Sequence, residues 1–200
     1  SDRSVTIWSM KEGTRGTWGS ESIETVRVRK GLRTVAWSAD GTRALCRPVD
    51  GHGTDLSVLE IATGKELPLE LPSDIRPRMA DFDPTGDRVL LTAEDYVLVL
   101  DAREGTLISR WDLPGCEAAP TWSPDGRRFG LGCHPGGVES VKGLDADDRS
   151  VSITIPSAIG MHFRFSPSGT HVVSQTRQRV IEFWDLARRA TTWTLEASAF

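Results

Sequence analysis

Apolar residues in this chain fall in short runs, and each run stops at turn-forming residues. The stretch from Arg78 to Asp112 is typical. Runs rich in Val, Ile, Leu, Thr and Trp predict four strands, at 78–83, 87–93, 96–102 and 106–112. No segment sustains an apolar period of 3.6 residues with caps at its ends, so helices are not expected.

The runs repeat. AWSADGTRAL (36–45), DFDPTGDRVL (81–90), TWSPDGRRF (121–129) and RFSPSGTHVV (164–173) are versions of one segment. Their closing glycines, Gly41, Gly86, Gly126 and Gly169, are 45, 40 and 43 residues apart. A second motif keeps the same register: SVTIWSMKEG, LSVLEIATGK, YVLVLDAREG, VKGLDADDRS and VIEFWDLARR. Its anchors, Trp8, Leu59, Leu100, Leu144 and Trp184, are spaced 51, 41, 44 and 40 residues. Four-stranded units at roughly 40–45 residues predict an all-β fold, a β-propeller of antiparallel four-stranded blades. One blade cannot bury both of its faces, and stacking between neighbours supplies the missing core.

The expected layout is an N-terminal half blade at 4–29 and full blades at about 32–72, 76–113, 117–156 and 160–197. The half blade holds only a third and a fourth strand. The last period already has a fourth strand of its own in TTWTLEA, so it does not need strands from the N-terminus. With no initiator Met at position 1, the expectation is a segment of a larger propeller. A closed ring of four or five blades is the alternative.

WSPDG, FSPSG, IATGK and FWDLARR resemble WD-repeat proteins over nearly the whole chain. Trp184-Asp185 keeps the name-giving dipeptide, and Leu100-Asp101 and Leu144-Asp145 keep its Asp. Trp8-Ser9 and Leu59-Glu60 keep less, and no Gly-His pair precedes the first strand of a blade. Gly51-His52 lies between a second and a third strand. The repeats are therefore divergent, and the buried His–Ser–Asp–Trp network of typical members is not expected. A TolB-like propeller, which also uses a Ser-Pro-Asp-Gly turn, is the near alternative.

Ser123 and Asp125 within TWSPDGRRF suggest a reactive loop, but the four copies read as turns. Pro presets φ at the second position and Gly supplies positive φ at the fourth. The first-position Ser or Asp can accept a hydrogen bond from the backbone two residues on. A nucleophile would not be interchangeable with Asp83. Asp81, Asp83 and Asp87 imitate the start of a calcium loop, but its twelfth position is Thr92 rather than a bidentate Glu. Asp145, Asp147 and Asp148 read as a solvated tip. Trp37, Trp122 and Trp184 are expected in the core. Trp18 and Trp193 are expected on outer strands or loops with partial exposure, and Trp111 matches an outer-strand position.

Charge and cysteine content narrow the function. Net charge is −4 and pI about 5.6, which argues against a dedicated nucleic-acid binder. No apolar run approaches a membrane span. Asn is absent and only Lys11, Lys30, Lys65 and Lys142 are lysine, a composition bias that suggests a bacterial source. Cys46, Cys116 and Cys133 are odd in number and widely spaced, so buried free thiols in a reducing, cytoplasmic setting are expected. Cys133-His134 offers no zinc spacing, and a Cys–His nucleophile pair has no motif behind it. No catalytic residue, cofactor or metal is expected.

In a propeller, the Ser-Pro-Asp-Gly turns share one face with the third-to-fourth-strand turns. The other face collects loops of variable length, where binding usually lives. Candidate protein-contact residues there are Arg33, His52, Arg76, Arg78, Asp95, Tyr96, His134, Arg177 and Gln178. WD-repeat proteins are mostly interaction platforms. The resemblance therefore implies a non-enzymatic scaffold for protein partners, as a sensor or docking part of a larger multidomain protein. A propeller enzyme or small-ligand binder with a site at the channel mouth is the rival. Three or more ionisable groups converging in one deep pocket would favour it.

Overall fold

The computed structural model describes residues 4–10, 23–49, 55–116, 120–135, 140–148, 150–156, 158–176 and 180–196; for 4–10, 23–30, 151–152 and 158–162 it describes the backbone alone. Among the described residues eighteen strands form one two-stranded and four four-stranded sheets. β1 (Ser4–Met10) and β2 (Ile23–Lys30) make the pair. The first full sheet is β3 (Leu32–Trp37), β4 (Arg43–Pro48), β5 (Ser57–Glu60) and β6 (Glu66–Pro68). The second is β7 (Met79–Phe82), β8 (Arg88–Thr92), β9 (Tyr96–Asp101) and β10 (Leu107–Asp112). The third is β11 (Thr121–Trp122), β12 (Arg128–Cys133), β13 (Ser140–Asp145) and β14 (Val151–Pro156). The fourth is β15 (Ala158–Phe165), β16 (His171–Thr176), β17 (Val180–Asp185) and β18 (Ala190–Glu196). Each is an antiparallel meander in sequence order, as a propeller blade requires. β7 to β10 fall inside the four expected spans. Among the described residues no helix is long and apolar enough to cross a membrane.

Side chains alternate across a strand, so β8 and β9 feed two cores at once. Val89, Leu91, Leu98 and Leu100 pack with Leu45, Val58 and Ile75 of the first sheet and its linker. Leu90, Val97 and Val99 point the other way and pack with Trp111, Trp122, Phe129 and Leu131. A third core joins Val141 and Ile155 to Phe163 and Val172, between the third and fourth sheets. Inner strands covered on both faces read as near-continuous apolar runs, which is why VLLT and YVLVL carry so few polar residues.

The turns between first and second strands lock one sheet to the next. Each closes with a backbone bond from its glycine to the first-position carbonyl: Gly41 to Ser38, Gly86 to Asp83, Gly126 to Ser123 and Gly169 to Ser166, at 2.8–2.9 Å. All four glycines have φ of +68° to +75°, a region that penalises a Cβ. The first-position side chain reaches further than expected. Ser38 Oγ and Ser123 Oγ accept from the N–H groups of Arg43 and Arg128, five residues on and both at 2.9 Å, and donate to Asp40 and Asp125 at 2.6 Å. The bond from two residues on goes to the third-position Asp, as from Thr42 N–H to Asp40 and from Arg127 N–H to Asp125. The Ser38 hydroxyl is the main reason the Asp40 carboxyl lies at about 2.

Arginines continue the chain of contacts. Arg43 Nη1 donates to the Gly86 carbonyl of the next sheet at 2.7 Å and lies 3.4 Å from Asp87. Arg88 Nη2 donates likewise to the Gly126 carbonyl, and its guanidinium lies 4.8 Å over the Trp122 ring. On the same face, Asp101, Asp145 and Asp185 each accept two backbone N–H groups of the third-to-fourth-strand turn. This is the physical role of the Asp in the WD-like dipeptide. Trp184 Nε1, by contrast, is buried with no hydrogen-bond partner among the described residues.

Two tryptophans depart from expectation. Trp37 is 42% exposed rather than core. Trp122 is covered by Arg88 from the second strand of the preceding sheet, whereas among the described residues the sheet before Trp37 is the β1–β2 pair, matched in sequence to third and fourth strands. Trp111 is buried at 7%, edge-on to Phe129 at 5.2 Å. Trp193 is 55% exposed on β18, as expected for an outer strand, and Trp18 lies outside the described residues.

At Gly130 of β12 the third and fourth sheets approach closely. A Cβ there would lie 2.5 Å from the Phe163 ring of the fourth sheet. We expect Gly130→Ala to displace that ring and cost about 1–3 kcal/mol, the usual range for overpacking. Chemical denaturation of both chains measures this, and an unchanged midpoint would show that Phe163 has room to yield.

Candidate functional site

The loop face of the second sheet gathers three segments. Tyr96 opens β9 and pairs in register with Asp112 at the end of β10. Arg110, two residues earlier on the same side, lays its guanidinium 3.8 Å over the Tyr96 ring. It also stands 3.5 Å from Asp112 and 4.0 Å from Asp74. Asp74 belongs to the linker between the first and second sheets. That linker is pinned by fully buried Ile75, whose N–H donates to the Pro72 carbonyl at 3.0 Å. Arg78 on the linker reaches Glu94 at 3.9 Å, and the Asp95 carbonyl accepts the Leu113 N–H at 2.8 Å.

Linker, second-to-third-strand loop and β10 therefore meet in one patch. Arg76, Arg78 and Asp95 are exposed there and Tyr96 is half-buried. Its ion pairs are long and solvated, worth about 0–1 kcal/mol each. Such a patch can re-pair with a partner's charges without destabilising the sheets beneath it. Arg110, Asp74, Glu94 and Asp112 were not among the expected contacts. Their signal was available once β9 and β10 were paired, because the Tyr96–Asp112 register brings Arg110 beside the ring.

The other expected residues stand apart. Arg33, exposed at the start of β3, is the register partner of Arg47. Burial, then the charge of Arg33, pulls the Arg47 guanidinium below its usual pKa. Arg47 Nε is buried with no hydrogen-bond partner. His134 is exposed, and its N–H donates to the Gly115 carbonyl at 2.7 Å. His52, Arg177 and Gln178 lie outside the described residues.

The expectation of three free thiols is corrected at two positions. Cys116 and Cys133 form a disulfide with S–S 2.09 Å. They are 17 residues apart, but the linker leaving the second sheet folds back over the end of β12. Sequence spacing did not reveal that approach. Cys133 is thereby no nucleophile for His134. Cys46 is free and buried, and its thiol is pushed up to about 11 by burial and then by the charge of Glu66, which leaves it unreactive at neutral pH.

The calcium-like carboxylates are occupied by protein donors. Asp83 accepts the N–H groups of Asp87 and Arg88 and pairs with the Arg88 guanidinium at 3.2 Å. Asp87 pairs with Arg103 at 2.7 Å, and burial raises the pKa of Asp81. Among the described residues no group of three His, Cys, Asp or Glu side chains could hold a metal ion. A cavity of about 460 Å³ beside the first sheet is lined by Leu56, Leu69 and Pro72, with Asp55 and Glu66 as its ionisable groups. Ser57 Oγ–H donates to Glu66 there at 2.6 Å.

No family model matches the chain, and no curated protein sequence matches it. Among solved structures it is similar to Kuenenia stuttgartiensis hydrazine synthase, with a TM-score of 0.65 and 18% identity. The likeness covers 82% of this chain and 48% of that one, so the chain spans about half the length of its structural neighbour. At that identity the likeness shows the β-propeller fold and carries no activity with it.

The disulfide closes a loop that should stabilise the folded chain by about 3 kcal/mol. Thiol labelling of the denatured chain should find one reactive cysteine before reduction and three after, and reduction should lower the unfolding midpoint. Three thiols before reduction would contradict the cross-link.

Proposed function

We propose that the chain is a non-enzymatic, WD-repeat-like scaffold that holds protein partners on its loop face. The observation that carries this reading is the mixed-charge patch around Arg76, Arg78, Asp95, Tyr96 and Arg110, exposed on a rigid sheet and held by pairs weak enough to exchange. The Asp-capped turns support a WD-like repeat, and the unpaired Trp184 indole favours a divergent one, with a TolB-like propeller as its neighbour. The chain would act as the sensor or docking part of a larger bacterial protein.

The sequence-based expectation of a cytoplasmic setting rests on free thiols. The Cys116–Cys133 bond removes that ground, since disulfides persist mainly in oxidising compartments. A second reading, a small-ligand or catalytic propeller, is favoured by the 460 Å³ cavity. Among the described residues its ionisable groups are Asp55 and Glu66, two rather than the three or more that would favour this reading.

Charge reversal of the patch tests the scaffold reading. Arg76→Glu with Arg78→Glu should cut recovery of captured partners by about tenfold or more, while Lys65→Glu on the turn face leaves it unchanged. Equal recovery from all three chains would remove the patch from the interface.

A further inference from the structure

The turn face is less uniform than its repeats. At the first-to-second junction Arg43 meets Gly86 O and Asp87; at the second-to-third, Arg88 meets Gly126 O, Asp83 and Asp147, the last at 3.5 Å. Arg128 holds the same position at the third-to-fourth junction. The acids that serve the others are replaced there: Ser123 stands for Asp83, Thr170 for Asp87 and Ala187 for Asp147. Among the described residues the Arg128 side chain makes no hydrogen bond and no ion pair. Asp145, opposite it across the strands, is engaged in capping its turn.

A second arginine joins it. Arg128 and Arg189 line one cleft of about 170 Å³ whose apolar wall is Ile153, Phe165 and Leu186. Arg189 fills the slot that Gly64 and Gly105 occupy in the first and second sheets. At φ +53° it is the one non-glycine residue of positive φ among those described. A side chain held in that region costs backbone energy, and such positions cluster at binding sites. Among the described residues neither guanidinium forms an ion pair, and two such groups beside an apolar wall suit an anion.

From this geometry we propose that the cleft between the third and fourth sheets binds a carboxylate, that of an acidic side chain or chain terminus of a protein partner. The cleft is smaller than the range for drug-sized ligands, about 300–1,000 Å³, and suits a side chain with a short apolar stem. The nearby Asp125 carboxylate offsets part of the two arginines' positive charge, which suits a monoanion better than a phosphate dianion. Asp125 is close enough to feel Arg128, and its ionised form is favoured by the Ser123 hydroxyl first and the Arg127 N–H next. This site lies on the face opposite the Arg76–Arg78 patch, so the two stand or fall separately.

The test follows the arginine Nε–H signals of the folded chain by NMR, with blocked glutamate, blocked glutamine and inorganic phosphate as probes. Blocked glutamate should shift the Arg128 and Arg189 signals saturably, and glutamine should not. Arg128→Met should weaken glutamate binding at least tenfold. Arg189→Gly should weaken it too while raising the melting temperature, because glycine relieves the backbone; that variant keeps the test valid if Arg128→Met fails to fold. Absence of a saturable glutamate shift, an equal response to glutamine, tighter binding of phosphate, or unchanged glutamate binding in Arg189→Gly would each overturn the proposal.

Discussion

Everything in this molecule depends on sheets covering one another. A four-stranded sheet with two apolar faces is not stable alone, and β8 and β9 show the consequence. Leu91 and Leu98 need the first sheet, while Leu90 and Val97 need the third. Stability is then a sum of contacts between neighbours rather than the property of one central core. The ends make the same point from the other side. Trp37 lies exposed beside a two-stranded neighbour, and Trp193 and Leu195 lie exposed on the last strand.

Covering fixes how far apart neighbouring sheets stand, and the turn face sets their registration. Arg43 and Arg88, which begin the second strands of their sheets, each span the junction to the next turn's glycine carbonyl. A repeat of this kind makes exceptions visible. Arg128 and Arg189 are noticeable because Arg43 and Arg88 define what that position normally does. On the loop face, among the described residues, the stacking of Arg110 over Tyr96 belongs to one sheet only. The arginine bridges between sheets are thus concentrated on the turn face, with the third-to-fourth junction as the exception.

The architecture was legible in the sequence because its signals are local. Positive φ at Gly126 and a Pro-preset turn need only four residues to declare themselves, and their spacing gave the blades. What was not legible depends on contact across the fold. The Cys116–Cys133 bond joins a linker to a strand end, and no spacing rule predicts that. Trp37 carries the same strand-end signal as Trp122, and only the absent cover distinguishes them. Ser123 is a turn residue, as its sequence context predicts, but it accepts from the Arg128 N–H rather than that of Asp125 because the hairpin brings the fifth residue back above it. Of the expected contacts, the structure collects Arg76, Arg78, Asp95 and Tyr96 and leaves Arg33 and His134 apart.

Hydrogen exchange on the native chain measures the dependence on neighbours most directly. Amides of β9, with both faces covered, should exchange only through global unfolding, and those of β18 at least ~100-fold faster through local opening of the last sheet. Equal protection of β9 and β18 would mean that the sheets do not rely on their neighbours, and would contradict this account.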